Sequence, residues 1–366
     1  MYDYVRSFLF RLGAEHAHHL SVGAARFAQT VNLSVVESMY EYGAGALAQT
    51  LWGLNFTNPV GLAAGFDKNA QLIRFWEALG FGFAEVGSVT ARPAKGNKRP
   101  RAFRLPEDQA IINRMGLNNQ GADKISRRIQ RGQKKRGIPL GINIAKTHDD
   151  TIVGEAAIED FLRSFQLLAP LADYVALNIS CPNTADGRTF EEADGLDALL
   201  NIIFAERTAM HLEVPILIKL APPLTPKVVF DSQVEDIMQV ALGHGVDGFI
   251  ATNTASDRQH LTTDEARLQR IGRGGLSGAP IFERSTQLVR YLYRRTEGKL
   301  PIIGVGGVAS AEQAYAKLRA GASLVQLYTG LVYEGPSLIK EIKEGLVRLF
   351  EEDGHSSIRH VIGLDA

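Results

Sequence analysis

Eight short apolar runs, most of them followed by an amphipathic stretch, constrain this chain more than any other feature. They are Pro59–Ala64, Phe83–Val89, Leu140–Ile144, Tyr174–Ile179, Ile216–Leu220, Gly248–Thr252, Ile302–Val305 and Leu324–Leu327. Most are rich in Val, Ile or Leu and lack polar–apolar alternation, which is how a parallel strand buried on both faces reads. Patterns of helical period lie between them, as at Ala70–Leu79, Ile158–Leu168 and Ala311–Ala320. Eight β/α units predict a closed α/β barrel of the (β/α)8 TIM type rather than an open sheet. The gaps after the second and sixth runs are long and leave room for site loops or small added strands.

Residues 1–45 read differently. Tyr4, Val5, Phe8, Leu9 and Leu12 fall at helical spacing, and Val22, Ala25 and Phe27 continue an apolar stripe. They predict two short amphipathic helices outside a barrel domain of residues 46–366. Periodicity alone leaves two homes for them: the barrel's outer wall or a membrane interface. No apolar run approaches the ~18–20 residues that cross a bilayer. Arg6 and Arg11 interrupt the N-terminal one, which has the form of neither a secretory signal nor a transit peptide. With 40 basic and 40 acidic residues the formal charge is zero, and no field of one sign argues for nucleic acid. The single cysteine, Cys181, excludes a disulfide within the chain and fits a reducing compartment.

In a parallel barrel, reactive groups gather at the C-terminal ends of the strands. The first run ends in AAGFDKNA, which puts Lys68 just past a buried strand, where a fixed cation suits an anionic ligand. The loop after the second carries IINRMGLNNQG (Ile111–Gly121). Its Asn113, Asn118 and Asn119 suit a planar amide ligand, though asparagine also serves plain turns. The third run ends at Asn143 and the fourth in NISCPNT, presenting Asn178, Cys181, Asn183 and Thr184. A buried inert thiol is the commoner fate of cysteine. At a barrel mouth, however, a thiol of reference pKa ~8.5 accepts a proton near neutrality with modest help. Lys219 lies inside the apolar ILIKLAPP, and a lysine in a buried strand is costly unless its charge is used. The sixth run ends in ATNT, adding Thr252, Asn253 and Thr254.

GGLSGAP (Gly274–Pro280), GVGGVAS (Gly304–Ser310) and YTG (Tyr328–Gly330) follow. The last two lie after strands seven and eight, where barrels bind phosphate through glycine-exposed N–H groups and a short helix N-terminus. A phosphate site, two lysines, an asparagine-lined pocket and one thiol suit proton abstraction coupled to electron transfer to a bound cofactor. Composition and spacing do not name the substrate.

The segments NPVGLAAGFDKN, FRLPEDQAIINRMGLNN, LNISCPNT, IATNT, GGLSG, and GVGGVAS followed by AGASLVQLYTG resemble, in order and spacing, the dihydroorotate dehydrogenase family. The likeness covers nearly the whole chain. It implies an FMN enzyme that oxidises (S)-dihydroorotate to orotate in pyrimidine biosynthesis, passing a hydride from C6 to the flavin N5 while a base takes the C5 proton. Carried over by motif, Cys181 takes the base position, with Thr184 beside it in proton relay and Lys68 as a further catalytic residue. Lys68, Asn113, Asn178, Asn183, Asn253 and Thr254 match the orotate contacts, joined by the backbone of Arg114, Met115, Gly116 and Leu117. Ala64, Gly65, Lys68, Ser88, Asn143, Asn178, Lys219, Thr252, Gly278, Gly307, Tyr328 and Thr329 match the FMN contacts.

The N-terminal extension resembles that of the quinone-dependent class, in which two helices form a lipid-facing tunnel to the flavin. His18, Arg104 and Tyr328 match tunnel residues. The resemblance thus implies ubiquinone or menaquinone as acceptor and favours the membrane interface for residues 1–45. The expected protein is a monomer, peripheral to the cytoplasmic face of a bacterial inner membrane, or to the mitochondrial inner membrane in a eukaryote, with no metal. There are departures. Cys181 stands where the quinone class has serine and the cytosolic class cysteine. Leu117 stands for a phenylalanine, Val332 for a threonine of animal members, Ala279 for a common arginine and Ala145 for a common glycine. The cysteine keeps two alternatives open: the same half-reaction with fumarate or another soluble acceptor, or a related FMN-dependent pyrimidine oxidoreductase.

Overall fold

The computed structural model describes residues 2–132, 136–180, 190–223, 231–259 and 261–366. Eight parallel strands close into a barrel in chain order: Val60–Leu62, Phe83–Val89, Leu140–Ile144, Tyr174–Asn178, Ile216–Leu220, Gly248–Ala251, Ile302–Val305 and Leu324–Leu327. The eighth pairs with the first, Val325 with Val60 and Leu327 with Leu62, so no sheet edge remains. Each expected apolar run supplies one strand. The first is trimmed at its start, where Pro59 has no N–H to give the ladder, and at its end, where the chain turns into the mouth.

The barrel interior is filled at its lower end by large rings set against glycines. A Cβ on Gly61 would fall inside the Phe83 ring, and one on Gly141 inside the Tyr174 ring. A hairpin, Gln49–Leu51 and Leu54–Phe56, closes this end. Its Trp52 ring lies 6.0 Å from Tyr174, and Phe56 lies 5.6 Å from Phe83 edge to face. The Trp52 indole N–H donates to the Asp247 carbonyl at 2.8 Å. At the other end the two long loops form the added strands that their length allowed. Ala102–Leu105, Ala110–Asn113 and Gly275–Gly278 pair antiparallel as a small sheet beside the mouth.

The N-terminus forms three helices rather than the expected two: α1 (Tyr2–Arg11), α2 (Ala14–Val31) and α3 (Ser34–Tyr40). The added break is at Asn32, whose backbone is extended and whose Oδ1 accepts the Ser34 N–H at 2.8 Å. Polar staples fix these helices to the barrel. The Arg101 guanidinium, itself buried, grips the Glu15 carboxylate of α2 with two nitrogens, the shorter contact 2.7 Å. Arg104 donates to the Leu9 carbonyl of α1 at 3.0 Å and lies over the Phe10 ring. Tyr2 and Arg6 donate to the Val332 and Tyr333 carbonyls. On α2, Ala17 and Ala25 are buried, but Phe27 of the expected stripe is 71% exposed and belongs to the opposite face.

Filling the barrel by ring-on-glycine contacts generates a stability prediction. Gly61→Ala should overpack the floor and destabilise by about 1–3 kcal/mol, read as a lower urea midpoint. Adding Phe83→Leu to that variant should recover part of the loss.

Candidate active site

The strand ends and loops line a cavity open to solvent at the C-terminal mouth. Ala64, Gly65 and Lys68 reach it from the first strand, Ser88 from the second, Asn178 from the fourth and Lys219 from the fifth. Thr252, Asn253 and Thr254 come from the sixth, and Gly307, Tyr328 and Thr329 from the loops after the seventh and eighth. Asn113, Met115, Gly116 and Leu117 line it as well, with Gly278 from the strand paired to that of Asn113. Residues scattered over more than 250 positions thus converge on one volume, as a parallel barrel demands.

Some expected residues stand elsewhere. Asn143 is fully buried and lies one layer behind the wall, receiving the Ser88 hydroxyl on its Oδ1. Arg114, expected to offer its backbone, does not line the cavity: its N–H donates to the Arg101 carbonyl, its carbonyl accepts the Asn97 amide, and its side chain lies over Phe103 and donates to the Ile271 and Pro100 carbonyls. Cys181, Asn183 and Thr184 lie outside the described residues. His18 and Arg104 do not line the cavity. His18 meets Phe66 edge to face at 5.2 Å, and Phe66 meets Tyr328 at 5.3 Å, so a file of rings joins α2 to the cavity wall. Burial, then the nearby Lys68, holds the His18 imidazole down to about 4. Burial pushes the Tyr328 phenol up to about 12, so it stays neutral.

The wall is cross-linked by its own polar groups. Asn253 donates to Asn178 at 3.0 Å, and Asn178 donates to the Ser88 hydroxyl at 3.0 Å. Behind Asn143 sits Glu85, fully buried in the barrel interior. Asn143 donates to it at 3.0 Å, Gln326 at 2.7 Å, Tyr174 at 3.1 Å and the Lys219 ammonium at 3.4 Å. Lys219 is therefore not a bare buried cation but half of an ion pair, which offsets part of the penalty of its burial. Glu85 and Gln326 escaped the sequence reading. Both are polar residues in all-apolar strands, FAEVGSV and LVQL, the signal that singled out Lys219.

Backbone shape makes the glycine loops a cradle. Gly278 has φ +104° and Gly307 φ +73°. A Cβ on Gly307 would lie 2.5 Å from that of Phe282, and one on Gly278 would overlap the Gln109 carbonyl. Ser277 and Thr329 hydroxyls sit 2.8 Å apart at its rim, and Thr329 opens the helix Thr329–Glu334. Such exposed N–H groups at a helix start receive anions.

Comparison with known proteins agrees with this geometry. The family model described as dihydroorotate dehydrogenase matches residues 46–350. The chain is 43% identical over 366 residues to a dihydroorotate dehydrogenase (quinone) of Roseiflexus sp. (strain RS-1), covering 100% of this chain and 98% of that one. It is 44% identical over 379 residues to the dihydroorotate dehydrogenase (quinone) of Deinococcus radiodurans, covering 99% and 100%. Among solved structures it superposes on DHODH of Eimeria tenella in complex with ferulenol with TM-score 0.83 and 33% identity, covering 96% of this chain and 95% of that one. The eight-strand barrel, the extent of the match and the relatives' identity together make this chain a member of the quinone-type dihydroorotate dehydrogenase family.

Proposed function

We propose that this chain performs its family's reaction, oxidation of dihydroorotate to orotate with a quinone as final acceptor, in the cavity at the barrel mouth. The observation that carries the reading is the convergence of Lys68, Asn113, Asn178, Asn253 and Thr254 on the same cavity as Lys219, Gly278 and Gly307. The family is flavin-dependent, and the residues present fit FMN. The two glycines leave a phosphate-sized concavity, and Lys219 supplies a cation for a ring edge that gains negative charge. Gln326 lines the cavity, and its Oε1 is a buried acceptor with no hydrogen-bond partner among the described residues. Bound there, FMN would supply a two-electron acceptor for the substrate's oxidation.

The chain's own groups do the rest. Lys68, whose ammonium donates to the Gly65 carbonyl at 2.6 Å, stands where it can face a substrate carboxylate. The asparagine amides match the donors and acceptors of a flat pyrimidine, and their mutual bonds hold them in register before substrate arrives. Cys181 takes the proton, with Thr184 as its relay, the roles that the family motif gives these two residues. Its thiolate forms at lower pH than a serine alkoxide, so the reaction tolerates a more acidic medium than a serine base allows.

Residues 1–45 form the acceptor's entrance and 46–366 the barrel domain. Among the described residues no helix is long and apolar enough to cross a membrane. Of the twelve large apolar side chains left exposed among the described residues, eight lie in α1–α3, among them Tyr4, Phe8, Leu20, Phe27 and Val35. So dense a patch suits burial in a lipid surface, and the file His18–Phe66–Tyr328 leads from it to the cavity. This reading makes the protein peripheral to a membrane, monomeric, and reactive with ubiquinone or menaquinone. The cysteine favours a second reading for the final step alone, with fumarate or another soluble oxidant.

Three outcomes are expected. Anaerobic dihydroorotate should bleach the bound flavin, and a short-chain ubiquinone should restore its colour much faster than fumarate; faster recovery with fumarate favours the second reading, and no bleaching defeats both. Cys181→Ser should slow flavin reduction by about 10²–10⁴-fold at neutral pH and move the rising limb of its pH profile upward, whereas an unmoved limb removes Cys181 as the base. For His18 the folded pKa of about 4 lies below the unfolded value of ~6.5. The unfolded chain therefore binds the proton first as pH falls. Wild type should match or exceed His18→Asn in stability above pH 6.5 and lose ground to it between pH 6.5 and 4, by at most about 1.4 kcal/mol per unit, in urea melts across that range.

A further inference from the structure

The side-chain hydrogen bonds of the barrel mouth run in one direction. At one end the Thr254 backbone N–H, which can only donate, bonds Asn253 Oδ1 at 2.9 Å and so fixes that amide's orientation. Asn253 donates to Asn178, Asn178 to Ser88, Ser88 to Asn143, and Asn143 to Glu85 Oε1. At the other end Glu85 also receives Tyr174, Gln326 and the Lys219 ammonium. Burial and the adjacent Glu85 hold the Tyr174 phenol well above its ordinary range, so it remains a donor. An ionised carboxylate, acceptor only, takes all four donors, whereas a protonated one would have to turn one away.

We infer that Glu85 is a positioning residue for this reaction: as the acceptor-only end of the chain, it sets the donor and acceptor polarity of the asparagine wall and pins the Lys219 ammonium. Its charge also offsets part of the pull that Lys219 exerts on electrons at the cavity. This inference rests on the reading of the cavity as the flavin site given under Proposed function. Glu85→Gln removes the charge and keeps the shape. The unpartnered Gln326 Oε1 is ready to accept the new N–H after an amide turn.

The test is the two-electron midpoint potential of the FMN-loaded protein, taken with xanthine, xanthine oxidase and an indicator dye, so that no dihydroorotate is involved. Glu85→Gln should raise the potential, shifting the oxidised-to-reduced ratio about tenfold at fixed dye potential, about 30 mV. Tyr174→Phe, which removes only a neutral donor from the same carboxylate, should shift it far less. An unchanged potential in Glu85→Gln overturns the inference. Neutron diffraction of the wild type decides it independently of whether that variant folds. It should find no deuteron on Glu85, three on Lys219 Nζ, and the Asn178 oxygen toward Asn253; a deuteron on Glu85 or the reverse amide orientation overturns it. A wild type that binds no FMN defeats the flavin reading instead and leaves the neutron result standing.

Discussion

Glu85 and Lys219 face each other inside the barrel, away from water, with Asn143, Tyr174 and Gln326 completing the carboxylate's shell. Either charge alone in that setting would cost several kcal/mol, and removal of one partner from such a pair typically costs about 3–5 kcal/mol. The pair joins strands two and five, and its neutral donors bring in strands three, four and eight. The polar layer therefore sits directly under the cavity and above the aromatic floor of Phe83, Tyr174 and Phe56. Closure of the sheet makes this possible, because only in a closed barrel do the ends of non-adjacent strands meet across a common interior.

The division into floor, polar layer and mouth explains which parts were legible in the sequence. Strands buried on both faces leave apolar runs, and all eight were found nearly to the residue; most residues expected at the mouth line one cavity. What the sequence hid was depth. Asn143 belongs to a matching motif, yet a strand's pleat puts its amide behind Ser88 rather than in the wall. Arg114 sits between cavity-lining Asn113 and Met115, yet its backbone bonds Arg101 and Asn97 and its side chain turns out to the Ile271 and Pro100 carbonyls. Glu85 carries the same anomaly as Lys219, a charge within an apolar strand. Its significance emerges only with its partner, 134 positions away, since pairing across a barrel is non-local.

The N-terminal helices follow a different logic. Two sequence readings competed for them, packing on the wall and lying in an interface, and the structure divides the surface between the two. Small residues and polar staples such as Glu15–Arg101 hold one face to the barrel, and large apolar residues occupy the other. An apolar face docked by polar contacts at its edges stays in place without consuming its own hydrophobic surface, which is what the proposed membrane-facing role of these helices requires. The ring file from His18 through Phe66 to Tyr328 connects these helices with the cavity wall.

The central claim is that one cavity brings a flavin, a pyrimidine and the thiol of residue 181 together. It is tested most directly by a crystal structure of the protein with FMN and orotate bound. The account predicts phosphate density at Gly278, Gly307 and Thr329, the pyrimidine against Asn113, Asn178 and Asn253, and the Cys181 sulfur on the side of the pyrimidine away from the flavin. Orotate bound elsewhere, or a sulfur turned out of the cavity, would contradict it.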